Sequence, residues 1–239
     1  MREASNIERS AQRVYPIDMG LAKAFLIRGA RSVLVDTGDR RGQTRLLQGL
    51  ERHGVRPSEL SLIVITHGHH DHYGNIAELK RLGPAVPVAI QRLDASALSS
   101  GVDVPIYLGG PRGLALRLGL PQRRRPRFLG IDADILVDDE LDLKPFGVLG
   151  RALATPGHTP GSLSVILDSG EAIVGDLVMG SILTATVPVI SFWAFDEATS
   201  RASIQRVLEL RPRTVFASHG GPFDPQRLAR KFSRPGRNA

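Results

Sequence analysis

The chain has no cysteine among its 239 residues. That excludes disulfides, thiolate ligands and a cysteine nucleophile, and any metal site must be built from nitrogen and oxygen donors. Long apolar runs are also scarce, because glycine, proline and charge interrupt them, and the stretch after Met1-Arg2-Glu3-Ala4 has no apolar core of the kind a secretory signal requires. A cytoplasmic protein is expected. The one long uncharged stretch, Leu177 to Phe195, matches a bilayer crossing in length, but Gly180, Pro188, Ser181, Thr184, Thr186 and Ser191 make it a poor spanning helix. No membrane partner is expected.

What is present suits a globular enzyme. At this length and 42% hydrophobic composition, a single domain over residues 1–239 can bury about 70% of the surface its unfolded chain exposes. Lysine and arginine number 31 against 24 acidic residues, a net charge of +7, which steers anionic partners without bearing on the fold. The densest basic run, Arg123-Arg124-Arg125 with Arg127, reads first as a solvated loop and second as a phosphate contact. Nucleic acid is not the expected partner.

Short apolar runs alternate with amphipathic ones, predicting an α/β protein. Strands are expected at Ala24 to Ile27, Ser32 to Val35, Leu62 to Ile65, Val86 to Ile90, Ile135 to Val137, Gly150 to Ala154, Leu163 to Leu167, Ala172 to Val174 and Thr214 to Ala217. Helices are expected at Thr44 to Gly54, Gly74 to Arg81 and Glu197 to Leu210. Residues 101–130 break this rhythm with glycine, proline and arginine and read as an insertion, either a lid over the site or an oligomer contact. A homodimer is therefore open.

Of seven histidines in the chain, four (His67, His69, His70 and His72) fall within six residues. His67 and His69, two apart at the end of an extended strand, can project to one side and hold one metal. Asp71 and His72, displaced by the turn into the next helix, can hold a second. Two protein ligands bind a metal weakly, so further donors are required, and His158, Asp176 and His219 supply them in loops at strand ends. His53 reads as an ordinary surface residue and His70 as a non-ligand. Ser218 beside His219 suggests a serine hydrolase, but the chain has no G-x-S-x-G elbow.

The run Thr66 to His72, then His158 in Thr155-Pro156-Gly157-His158-Thr159-Pro160-Gly161, then Gly175-Asp176 and finally His219 resembles the pattern of the metallo-β-lactamase-fold hydrolases, with Asp36 in the early strand motif. The resemblance spans about residues 15 to 225. It implies a four-layer αββα sandwich of two mixed sheets flanked by helices, with two divalent metal ions at one sheet edge. His67, His69 and His158 would bind the first ion; Asp71, His72 and His219 would bind the second; Asp176 would bridge them. Asp36 would hold an imidazole in its tautomer from behind. Zinc is the default metal, with iron or manganese also suited to such donors.

The chemistry that follows is hydrolysis, because two divalent ions lower the pKa of a shared water from about 15.7 toward 7. Asp71 is the candidate for passing the proton to the leaving group. Asp176 sets the chain apart from the β-lactamases of this fold, which lack an aspartate at the bridging position. Glyoxalase II enzymes and acyl-homoserine lactonases share the full ligand pattern, which points to a small-molecule carboxylic ester, lactone or thioester. Two departures blur the branch: the lactonases place a tyrosine where this chain has Met179, and glyoxalase II carries a helical carboxy-terminal region where this chain has a short arginine-rich tail. A phosphodiesterase or nuclease of the same fold is the alternative, and an iron-holding redox module a third reading. The apolar residues after Asp176, among them Ile182, Leu183, Val187, Val189, Ile190, Phe192 and Trp193, read as a pocket for an apolar acyl group, as core packing or as a dimer contact.

Overall fold

The computed structural model describes residues 12–105, 129–181, 183–191 and 193–232. Two sheets form its centre. The first has the strand order β1 (Arg13–Asp18), β2 (Lys23–Arg28), β3 (Ser32–Val35), β4 (Leu60–Val64), β5 (Val88–Gln91) and β6 (Ile135–Val137). Its first three strands pair antiparallel and its last four parallel, so the sheet is mixed. The second runs β13 (Thr214–Phe216), β10 (Glu171–Ile173), β9 (Leu163–Leu167), β8 (Gly150–Ala154) and β7 (Glu140–Asp142). Only β10 and β13 are parallel there.

Alternation along the strands decides the layers. In β2, Phe25 and Ile27 face the second sheet while Ala24 and Leu26 face away, and β4 repeats this with Leu62 and Val64 against Ile63. Both faces of these strands are buried, which is why they read as unbroken apolar runs. Between the sheets, Phe25, Val35 and Val64 pack with Ala152, Val165 and Ile173. The outer face of the first sheet is covered by α1 (Gln43–Arg52), α3 (Ile76–Leu82) and α4 (Ala95–Ser100), through Leu46, Leu50, Leu79 and Leu98. The outer face of the second is covered by α5 (Glu197–Glu209) and α6 (Pro225–Phe232), through Ile204, Val207, Leu228 and Phe232. Between α1 and α3 lies a one-turn helix, α2 (His70–Tyr73). The result is the αββα sandwich that the resemblance implied.

Topology gathers the polar loops at one edge. Strands β3 and β4 are parallel, so Asp36 and the segment from Thr66 leave the first sheet on the same side. In the second sheet β8, β10 and β13 share a direction, and their ends deliver His158, Asp176 and His219.

Some expectations shift. The helix expected from Gly74 begins earlier, at His70, and is interrupted before Ile76. The stretch Leu177 to Phe195 forms a hairpin of β11 (Met179–Gly180) and β12 (Pro188–Val189), and no helix among the described residues is long and apolar enough to cross a membrane. The imidazole of His53 is half-buried, stacked on Tyr15 at 4.2 Å between centroids. Of the insertion at 101–130, residues 106–128 lie outside the described residues, and with them the basic run at Arg123.

Candidate metal centre

All seven expected ligands converge. His67 Nε2 lies 3.1 Å from His158 Nε2, and His69 Nδ1 lies 3.0 Å from the same atom. Beside this trio, His72 Nε2 is 3.5 Å from Asp176 Oδ1 and 3.8 Å from Asp71 Oδ1. His219 Nε2 is 3.3 Å from Asp71 Oδ2 and 3.4 Å from Asp176 Oδ2. Asp176 Oδ2 also lies 3.7 Å from His158 Nε2, which sets this carboxylate between the two groups.

Local structure explains the convergence. His69 keeps extended backbone and stands at the N-cap of α2, whose turn brings Asp71 and His72 toward Asp176 and His219 while the His72 ring stays 3.9 Å from that of His67 between centroids. Asp176 follows Gly175, whose φ of +54° suits a residue without Cβ, and whose added Cβ would stand 2.8 Å from Thr66 Oγ1. Asp36, at φ +60°, occupies the left-handed region, where a side chain costs about 1 kcal/mol. Its hydrogen bonds hold it there. Oδ1 accepts from the Thr66 N–H at 2.8 Å, while Oδ2 accepts from Thr66 Oγ1 at 2.8 Å and faces His72 Nδ1 at 2.9 Å. Thr66 Oγ1 in turn lies 3.1 Å from His67 Nδ1. Ser218 Oγ donates to Asp36 at 3.4 Å, which gives this serine a structural partner.

Electrostatics separate the two groups. Burial, reinforced by the neighbouring imidazoles, holds His67 well below the ordinary histidine value. Burial lowers His69 as well and takes His158 down to about 3. These three are neutral near pH 7, the form in which imidazole donates a lone pair to a metal. Burial also opposes charge on His72 and His219, but Asp176 and Asp71 outweigh it and raise both. The same pairing keeps Asp71 and Asp176 ionised despite their burial, far below the usual carboxylate range.

This donor set fits cations. Two imidazole nitrogens, His67 Nε2 and His69 Nδ1, crowd within hydrogen-bonding distance of His158 Nε2, where protons cannot satisfy every lone pair at once. His72 Nε2 and Asp176 Oδ1 are buried without a hydrogen-bond partner among the described residues. Three triads of donors lie mutually within 4.8 Å: His67, His69 and His158; His67, His72 and Asp176; Asp71, His72 and His219.

A family model described as the metallo-beta-lactamase superfamily matches residues 18–219. The chain belongs to this superfamily. Among superfamily relatives, the metallo-beta-lactamase domain-containing protein 1 of Homo sapiens is 30% identical over 229 residues, covering 95% of this chain and 71% of the relative. The probable metallo-hydrolase YflN of Bacillus subtilis (strain 168) is 25% identical over 233 residues, covering 90% and 86% respectively. Two solved superfamily structures share the fold. The BLEG-1 B3 metallo-beta-lactamase superposes with a TM-score of 0.67 at 21% identity, over 91% of this chain and 97% of that one. A metallo-beta-lactamase family protein from Thermus thermophilus gives 0.65 at 23% identity, over 94% and 79%. As a superfamily member the chain is a metal-dependent hydrolase, and its fold implies divalent metal binding.

The sequence missed two residues that hold this centre. Leu21 accepts a hydrogen bond from His219 Nδ1 through its backbone carbonyl at 2.9 Å. Asp94 binds the loops on either side of the first triad. Neither belongs to a motif. A backbone acceptor leaves no trace in residue type, and a single aspartate after a strand is a common turn residue.

Proposed function

We propose that the protein hydrolyses a small carboxylic ester, lactone or thioester at a dinuclear metal centre. His67, His69 and His158 hold one ion, Asp71, His72 and His219 hold the other, and Asp176 stands between them. The observation that carries this reading is the convergence of three neutral imidazoles beside a second, carboxylate-bearing group. Bound divalent ions, zinc by default, would supply an activated water and polarise the scissile carbonyl. The chain's own contribution is positioning and proton handling. Asp36 fixes His72 from its Nδ1 side, so that Nε2 faces the centre. Asp71, ionised and 3.3 Å from His219 Nε2, is placed to carry a proton toward the leaving group.

The aspartate at position 176 favours the glyoxalase II and lactonase branch over antibiotic hydrolysis. Position 179, on β11, is a buried methionine, whose thioether offers no hydroxyl to a substrate carbonyl. Leu183 and Trp193 are exposed beyond Asp176 and are candidates to meet an apolar acyl group; Ile190 instead packs against the outer core. Ile182 and Phe192 lie outside the described residues.

The test is elemental analysis of the purified protein beside rates on p-nitrophenyl butyrate, a lactone panel, thioesters and bis-p-nitrophenyl phosphate. Metal near two equivalents with chelator-sensitive ester, lactone or thioester cleavage is the expected outcome. Preference for the phosphodiester would replace this reading with the phosphodiesterase alternative. Within the acyl reading, Trp193→Ala lowers the rate ratio of long to short acyl esters; an unchanged ratio removes Trp193 from the pocket.

A further inference from the structure

Asp94 lies outside every motif discussed above. It closes the short turn after β5, at the entry to α4, and its side chain is fully buried. Its carboxylate takes three hydrogen bonds. Oδ2 accepts from the Gly68 N–H at 2.8 Å and from Thr159 Oγ1 at 2.7 Å, and Oδ1 accepts from the Gly161 N–H at 2.9 Å. Gly68 is the residue between His67 and His69, and Thr159 directly follows His158. One carboxylate therefore joins the two loops that carry the three-imidazole group, and among the described residues it hydrogen-bonds neither Asp71, His72 nor His219.

The packing leaves little room for an alternative arrangement. A Cβ on Gly161 would stand 2.5 Å from Asp94 Oδ1, and one on Gly68 would stand 2.7 Å from the Ala97 Cβ. Glycine at both positions lets each backbone N–H approach the carboxylate directly. A buried carboxylate carries a desolvation cost, and here, among the described residues, it is answered by donors from these two loops. Leucine or asparagine would fill the same space without gripping all three donors.

We propose that Asp94 is a positioning residue for the three-imidazole half of the metal centre. It clamps the His67 to His69 turn against the His158 loop, and so sets the spacing of the three ligating nitrogens. This rests on the ligand assignment proposed above.

The experiment strips the full chain of metal and titrates it with Co(II), followed by visible absorption and by metal content after gel filtration. Wild type takes up two equivalents. Asp94→Asn, which keeps the volume but turns an amide N–H toward a donor, weakens one of the two steps by about 10–100-fold and leaves the other unchanged. The ion it retains is the one that His219→Ala loses, so the double variant holds neither tightly. Thr159→Val, which removes a single donor, shifts the same step by less and carries the test should Asp94→Asn fail to fold. Two undisturbed steps in Asp94→Asn would overturn the proposal. So would equal weakening of both steps together with a lowered Tm, which would make Asp94 an ordinary part of the core. Failure of wild type to bind two ions would instead overturn the ligand assignment, and this inference with it.

Discussion

The two halves of the metal centre are built by different means. The three-imidazole half is dry, with His67 and His158 at 1% exposure and His69 at 7%. Its ligands are neutral because burial makes them so, and the outer nitrogens His69 Nε2 and His158 Nδ1 have no hydrogen-bond partner among the described residues. Its geometry comes from the backbone, through loops that Asp94 joins. The other half is charged. Asp71 and His219 are partly open to solvent, and His72 and His219 each have an acceptor behind them, the Asp36 carboxylate and the Leu21 carbonyl. One half is thus held by loop placement and the other by paired charge, and the charged half is the more open to solvent.

Variants can break this contrast or sharpen it. The largest effect is expected from His158→Ala, which removes one of only three donors on the dry side. It loses one ion, keeps the other and lowers hydrolysis by about a thousandfold, equivalent to several kcal/mol of lost electrostatic stabilisation. Metal content and kcat/KM measured together check this, and retention of both ions would dissolve the division into halves. Asp36→Asn comes next, because asparagine tolerates the left-handed backbone at this position but presents an amide where a carboxylate was. It weakens the ion of the charged half by about 10–100-fold. The dry half feels less, because Asp36 reaches it only through Thr66 and His67. Equal weakening of both ions in a Co(II) titration would show that Asp36 serves the whole centre. The smallest effect belongs to His70→Asn. His70 lies among the ligands in sequence, yet its Nδ1 faces Asp103 Oδ2 at 2.7 Å and it belongs to none of the donor triads. Metal content stays at the wild-type value and stability changes by about 1 kcal/mol, read from the denaturant midpoint.

How much of this was readable from the sequence depended on whether the signal was local. Strands β3, β6 and β9 were legible to the residue because each is a compact run dominated by β-branched or aliphatic side chains. The cluster at residues 67–72 was legible because its donors share one turn. β1 was missed: Pro16 and alternating exposed residues at the sheet's edge give it no apolar run. α6 was missed because arginine, lysine and glutamine surround its two buried anchors, Leu228 and Phe232. Asp94 was out of reach for a deeper reason, since its partners are chiefly backbone N–H groups some 26 and 67 positions away.

The bond from His219 to Leu21 has a consequence for anyone mapping this protein by substitution. The acceptor is a main-chain carbonyl in the turn between β1 and β2, while the Leu21 side chain points largely into solvent. Replacing that side chain leaves the carbonyl where it was, so a codon-by-codon scan will score position 21 as tolerant. Adding or deleting one residue in the turn would withdraw the carbonyl from the imidazole, and only a change of loop length can reveal that this stretch supports the centre.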